Sequence, residues 1–164
     1  MISMLLTLAV LIFYCCHNKY SFSVFPKKFG LSYIVATLFT VSFYIFTLFF
    51  VKSCTLSNVS MMIYGSLVTP VFEELLFRGV ILNRLNNHFS HEWKTYLTVT
   101  CLFALWHMGY AVGLYLWNGG NLIICIIMKV MIGGIYGLII GAFRWKTKNC
   151  YCRILAHGIL NALS

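Results

Sequence analysis

Val-Thr-Pro-Val-Phe-Glu-Glu-Leu-Leu-Phe-Arg-Gly-Val-Ile, residues 68–81, places two adjacent carboxylates, Glu73 and Glu74, inside an apolar run. The chain has three acidic residues in all, so two of the three sit where ionisation costs most. An ionisable group in a lipid-spanning helix is expensive and by default marks a functional site. Further along, two more apolar runs each carry an isolated histidine. His107 lies in Leu-Phe-Ala-Leu-Trp-His-Met (102–108), and His157 and Asn161 lie in Ile-Leu-Ala-His-Gly-Ile-Leu-Asn-Ala-Leu (154–163).

The surrounding sequence is far too apolar for a soluble globular domain, with 61% hydrophobic residues, 9% charged residues and a mean hydropathy of +0.88. Its length suits about six membrane crossings at about 20 residues each. Apolar windows fall at 2–16, 31–51, 59–83, 95–117, 121–143 and 151–164. The expectation is an all-α polytopic membrane helix bundle, one integral membrane domain over 1–164, multi-pass in the cell membrane. The net charge of +9 comes mostly from basic residues in the short gaps between windows, not from a stripe or a binding motif. That pattern is membrane topology, not nucleic-acid binding. The seven cysteines fall mostly within apolar runs and form no disulfide framework, and Cys150-x-Cys152 alone is a weak metal signal.

Basic residues also orient the chain. Lys19, Lys27 and Lys28 fall in loop 17–30, Arg84 and Lys94 in loop 84–94, and Arg144, Lys146, Lys148 and Arg153 in loop 144–153. The alternate gaps hold only Lys52. Both termini outside puts every basic loop in the cytoplasm. At about 1.5 Å per residue, Glu73 and Glu74 are about 15 Å from Arg84, His107 is roughly 20 Å from Lys94, and His157 is about 14 Å from Lys148. Three polar insertions therefore reach similar depth, which predicts one shared site between helices in the cytoplasmic half.

Each insertion has an internal four-residue spacing that puts two side chains on one helix face: Glu74 with Arg78, Phe103 with His107, His157 with Asn161. Arg78 neutralises Glu74, leaving Glu73 as the carboxylate suited to general-base work on water. From another helix, His107 suits the same water or a metal. His157 and Asn161 offer N–H donors one turn apart, a pair suited to the oxyanion of a tetrahedral intermediate. No nucleophile elbow or Ser-Lys pair occurs, and Cys101 is on a different face from His107. The chemistry left is water attack on a carbonyl. Two histidines and a carboxylate (Glu73, His107, His157) also match the ligand set of many zinc sites. The absence of His-Glu-x-x-His, and the donor reading of His157 with Asn161, weigh against an obligatory tight zinc.

At these residues the chain resembles the CAAX-protease and bacteriocin-processing (CPBP/Abi) family. Glu73-Glu74-Leu-Leu-Phe-Arg78 is similar to its Glu-Glu-x-x-x-Arg motif, Phe103-Ala-Leu-Trp-His107 to its Phe-x-x-x-His, and His157-Gly-Ile-Leu-Asn161 to its His-x-x-x-Asn. The resemblance covers about residues 60–164. It implies an intramembrane endopeptidase acting on a membrane-associated peptide or protein, with Glu73 and His107 activating water and His157 and Asn161 as oxyanion donors. The competing reading is a non-catalytic bacteriocin self-immunity or membrane scaffold protein of the same fold. The short last helix, about 14 residues, is expected to be re-entrant or packed within the bundle, unless the chain is truncated. The small-residue stripe Gly133, Gly137, Gly141 predicts close helix packing, and Lys129 has no assigned role.

Overall fold

The computed structural model describes residues 2–17, 24–50, 55–147 and 149–163, with backbone alone at 2, 3 and 144–147. Lys19, Lys52 and Lys148, three of the residues that orient the sequence, lie outside the described residues. The elements are α1 (Ile2–His17), α2 (Leu31–Leu48), α3 (Leu56–Ile63), the π-helix π1 (Tyr64–Val68), α4 (Thr69–Glu73), the π-helix π2 (Glu74–Ile81), α5 (Leu82–Asn86), α6 (Glu92–Trp106), α7 (Met108–Asn118), α8 (Leu122–Thr147) and α9 (Tyr151–Leu163). No strand occurs among the described residues. Helices are the natural solution in lipid, where each backbone N–H and C=O must find its partner within the segment.

The runs Leu31–Leu48, Leu56–Asn86, Glu92–Asn118 and Leu122–Phe143 are long and apolar enough to cross a membrane. The flanking helices α1 and α9 are shorter, at 16 and 13 residues. Local chemistry sets several of the boundaries. Thr55 caps α3 by accepting from Asn58 N at 3.3 Å, and Asn121 caps α8 by accepting from Ile123 N at 2.9 Å. Between α7 and α8, Gly119 and Gly120 take φ of 69° and 92°, a left-handed turn that suits glycine. The basic gap expected over 144–153 is shorter than its sequence suggests. Helix α8 runs to Thr147 and α9 begins at Tyr151, where Asn149 Oδ1 accepts from Tyr151 N at 3.1 Å.

Two compact units divide the chain: Met1–Val80 with Phe143–Ser164, and Ile81–Ala142. In the first, α9 packs against α2, π1 and α4, and α1 lies on α4. Tyr151 OH shares a 2.8 Å hydrogen bond with Thr37 Oγ1, and Asn149 Nδ2 donates to Tyr33 OH at 2.8 Å, fixing the start of α9 on α2. Helix α2 is inside-out: Leu38 and Phe39 are exposed while the side chain it buries is Thr40. Apolar side chains outward and polar ones inward is the pattern lipid selects.

In the second unit α6 and α8 run antiparallel. A Cβ on Gly133 would meet His107, one on Gly134 would touch Ala104, and one on Gly141 would strike Tyr96. The Tyr96 hydroxyl also donates to the Leu138 carbonyl at 2.7 Å. The glycine stripe is thus spent within the chain, with Gly133, Gly137 and Gly141 all buried.

Candidate active site

The site begins with Pro70, at the start of α4 and directly after π1. Proline has no N–H to return to a carbonyl four or five residues back, and its ring crowds the carbonyl of residue i−4. Those carbonyls belong to Ser66 and Gly65, both in the π-helical turn. Each is taken by a side chain from another helix. Tyr44 OH of α2 donates to Ser66 O at 2.9 Å, and Asn161 Nδ2 of α9 donates to Gly65 O at 2.9 Å. The widened turn therefore docks α2 and α9 through backbone oxygens that an ordinary helix would consume internally. Gly158 completes the joint, since a Cβ there would strike both Tyr44 OH and Ser66 O.

That docking aims His157 at the carboxylates. Its Nδ1–H donates to Glu74 Oε1 at 3.1 Å, and its Nε2 lies 3.5 Å from Glu73 Oε2. One imidazole therefore lies between two consecutive glutamates. Arg78 Nη1 donates to the same Glu74 Oε1 at 2.9 Å. These groups are almost fully dry: Glu73 is 1% exposed, Glu74 0%, His157 0% and Arg78 4%. A carboxylate accepts only, so the Glu74 contact assigns a proton to His157 Nδ1. The Glu74–Arg78 pair expected from the sequence forms, although within π2 rather than an α-helix. π-Helical turns are rare and cluster at functional sites; here they carry Glu74 and Arg78 and flank Glu73.

His107 belongs to the second compact unit. It interrupts the helix between α6 and α7, and its Nδ1–H donates to Phe103 O at 2.8 Å. Its ring lies edge-on to Phe103, with centroids 4.6 Å apart. This contact fixes the tautomer that carries the Nε2 lone pair, the form a base needs. Asn161 shares a helix with His157 but faces the Gly65 carbonyl rather than the carboxylates.

Arg153 escaped the sequence reading, which placed it in a basic loop. It lies in α9, is 3% exposed, and donates from Nε to Asn149 O at 3.1 Å and from Nη2 to Cys150 Sγ at 3.1 Å. Its signal was present: residues 153, 157 and 161 repeat every four positions and so share one helix face. Tyr44, Ser66 and Gly158 had no such signal, because their role depends on a π-turn that helical periodicity does not encode.

Within the first unit the donors do not make up a zinc site. Glu73 and His157 offer two ligand atoms 3.5 Å apart, while the nearer Glu74 oxygen is engaged by Arg78 and His157 Nδ1. Among the described residues no group of three His, Cys, Asp or Glu side chains is arranged to hold a metal. What the arrangement supports is proton transfer: a buried carboxylate beside an imidazole whose other nitrogen is anchored.

Comparison with curated proteins and with solved structures gives no match. The family model described as type II CAAX prenyl endopeptidase Rce1-like matches residues 55–163, a span that contains Glu73, Glu74, Arg78, His107, His157 and Asn161. The match covers most of the chain and the whole buried carboxylate–imidazole cluster, and on it this helical membrane protein belongs to the Rce1-like family of type II CAAX prenyl endopeptidases.

Proposed function

We propose that the protein is an intramembrane endopeptidase of the cell membrane that hydrolyses a peptide bond of a membrane-associated peptide or protein, with Glu73 as general base. The observation that carries this reading is the dry Glu73–His157–Glu74 arrangement, with His157 Nε2 3.5 Å from Glu73 Oε2. A water hydrogen-bonded to both atoms would hold them about 4.5 Å apart. An opening of about 1 Å thus admits the nucleophile between base and imidazole.

In the proposed reaction Glu73 takes one proton from that water, and the resulting hydroxide adds to the scissile carbonyl carbon. The carbonyl oxygen becomes an oxyanion, and Asn161 Nδ2, whose resting partner is Gly65 O, is the donor proposed for it. Collapse breaks the C–N bond, and the departing nitrogen takes the proton back from Glu73. Peptide and water give a carboxylic acid and an amine, which ionise to carboxylate and ammonium, with no other co-reactant. Glu74, held by Arg78, orients the imidazole. His107, in the tautomer fixed by Phe103 O, is proposed as a second catalytic imidazole.

The test compares peptides released from native membranes by wild type and by Glu73→Gln at matched membrane levels. Loss of general-base catalysis lowers the rate by about 100-fold or more, so a specific product vanishes in the variant and identifies the substrate. An unchanged peptide profile with Glu73→Gln refutes hydrolysis and leaves a binding or immunity protein. His107→Ala and His157→Ala, run separately, assign each imidazole.

A further inference from the structure

The buried cluster of the first unit contains two carboxylates, Glu73 and Glu74, and one arginine paired to them, Arg78. A second guanidinium shares their surroundings. Arg153 is 3% exposed and stands one turn before His157 on α9, about 6 Å along the axis. It shares a helix face with His157, whose Nδ1–H donates to Glu74 Oε1 at 3.1 Å. Two of its nitrogens are occupied, Nε by Asn149 O and Nη2 by Cys150 Sγ. The third, Nη1, is buried without a hydrogen-bond partner, and so is Glu74 Oε2. Two buried atoms of opposite charge, each unsatisfied and both belonging to one cluster, are an unstable arrangement unless they answer one another.

From this we infer that Arg153 is a positioning residue of the active site: the second counter-ion of the Glu73–Glu74 pair, acting through Glu74. With Arg78 it brings the cluster to two negative and two positive charges when His157 is neutral. Balance of this kind is what allows ionised groups to persist at membrane depth. It also divides the labour between adjacent glutamates. Glu74, held by Arg78, His157 and the field of Arg153, is the anchor, and Glu73 is left to exchange protons with water. The anchoring of Arg153 to Asn149 and Cys150 fixes the cation at the start of α9, so the same turn that seats the helix on α2 also sets the charge behind His157. This division of labour rests on the hydrolase reading, whereas the charge pairing stands without it.

A double-variant cycle tests the pairing without needing a substrate. Thermal unfolding of the purified full chain in detergent is measured for wild type, Arg153→Met, Glu74→Gln and the pair together. The expected result is that the fall in midpoint caused by Arg153→Met is at least halved when Glu74 is already neutral. Equal falls in both backgrounds would overturn the proposal, because a role confined to Asn149 and Cys150 is indifferent to the charge at position 74. If Glu74→Gln does not fold, Arg153→Lys decides. A counter-ion role predicts that lysine keeps more than half of the stability that methionine loses, and a lysine variant no better than methionine refutes it. Peptide release by Arg153→Lys is then read separately. Failure of the hydrolase reading would appear as an absence of product from wild type, with the cycle unaffected.

Discussion

Gly158→Ala should disable the site without altering any of its polar groups. The new methyl would collide with the Tyr44 hydroxyl and with the Ser66 carbonyl. The tyrosine can swing away, but the carbonyl is main chain, at the buried residue Ser66. Reaching an ordinary Cβ contact requires α9 to withdraw on the order of 1 Å. The same movement stretches the Tyr44–Ser66 and Asn161–Gly65 bonds, each 2.9 Å, and carries His157 away from Glu74. Overpacking costs about 1–3 kcal/mol, and loss of one hydrogen bond adds about 1 kcal/mol. A displacement of about 1 Å at catalytic groups lowers turnover by about 100-fold. Two assays read the outcome: thermal unfolding in detergent, expected to fall by several degrees, and release of the peptide product, expected to collapse. Tyr44→Phe in the same background relieves the side-chain clash but not the carbonyl clash, so it should restore only part of the stability. A Gly158→Ala protein with wild-type melting and wild-type turnover would refute the idea that this close approach aims the imidazole.

Gly133→Ala should act in the second unit by a related route: its methyl would lie 2.7 Å from His107 Cγ and 2.9 Å from Nδ1, forcing the ring off the Phe103 carbonyl. The expected loss is about 1–3 kcal/mol of stability, largely recovered in the Gly133→Ala, His107→Ala double variant, with melting curves as the check. Pro70→Ala should separate stability from activity. Alanine is about 3 kcal/mol better than proline inside a helix, yet its N–H competes for the carbonyls that Tyr44 and Asn161 use. Unchanged or higher thermal stability with at least about tenfold lower peptide release is expected; undiminished release would show that the freed carbonyls do not position α9.

Much of this was legible in the sequence because membrane depth makes polar residues conspicuous. Among the described residues the six apolar windows correspond to six helical stretches, and the pair Glu74 and Arg78 meets as four-residue spacing requires. The contact between His107 and the Phe103 backbone follows from the same spacing. The partners of His157 and Asn161 did not follow. Their shared face suggested one function, yet one side chain reaches the carboxylates and the other a main-chain oxygen. That split depends on the width of π1, which Pro70 hints at but hydrophobic periodicity cannot register. Arg153 was misassigned for a different reason. Counting cations in gaps assumes that arginine follows water, whereas this one is buried at the start of a helix, held by Asn149 and Cys150.

The two π-helical turns give the run Leu56–Asn86 a property that a uniform helix lacks. A π-turn holds one residue more than its α counterpart, so it behaves as an insertion absorbed without a loop. Removing one residue from Tyr64–Val68 would let the segment relax to α geometry while everything after it keeps nearly the same azimuth relative to α3. The widened turn that presents the Gly65 and Ser66 carbonyls to Asn161 and Tyr44 would be lost, even though every apolar residue stayed within the membrane. Single-residue length changes here should therefore erase function while preserving insertion, and natural variation in this helix is expected to tolerate substitutions far better than deletions.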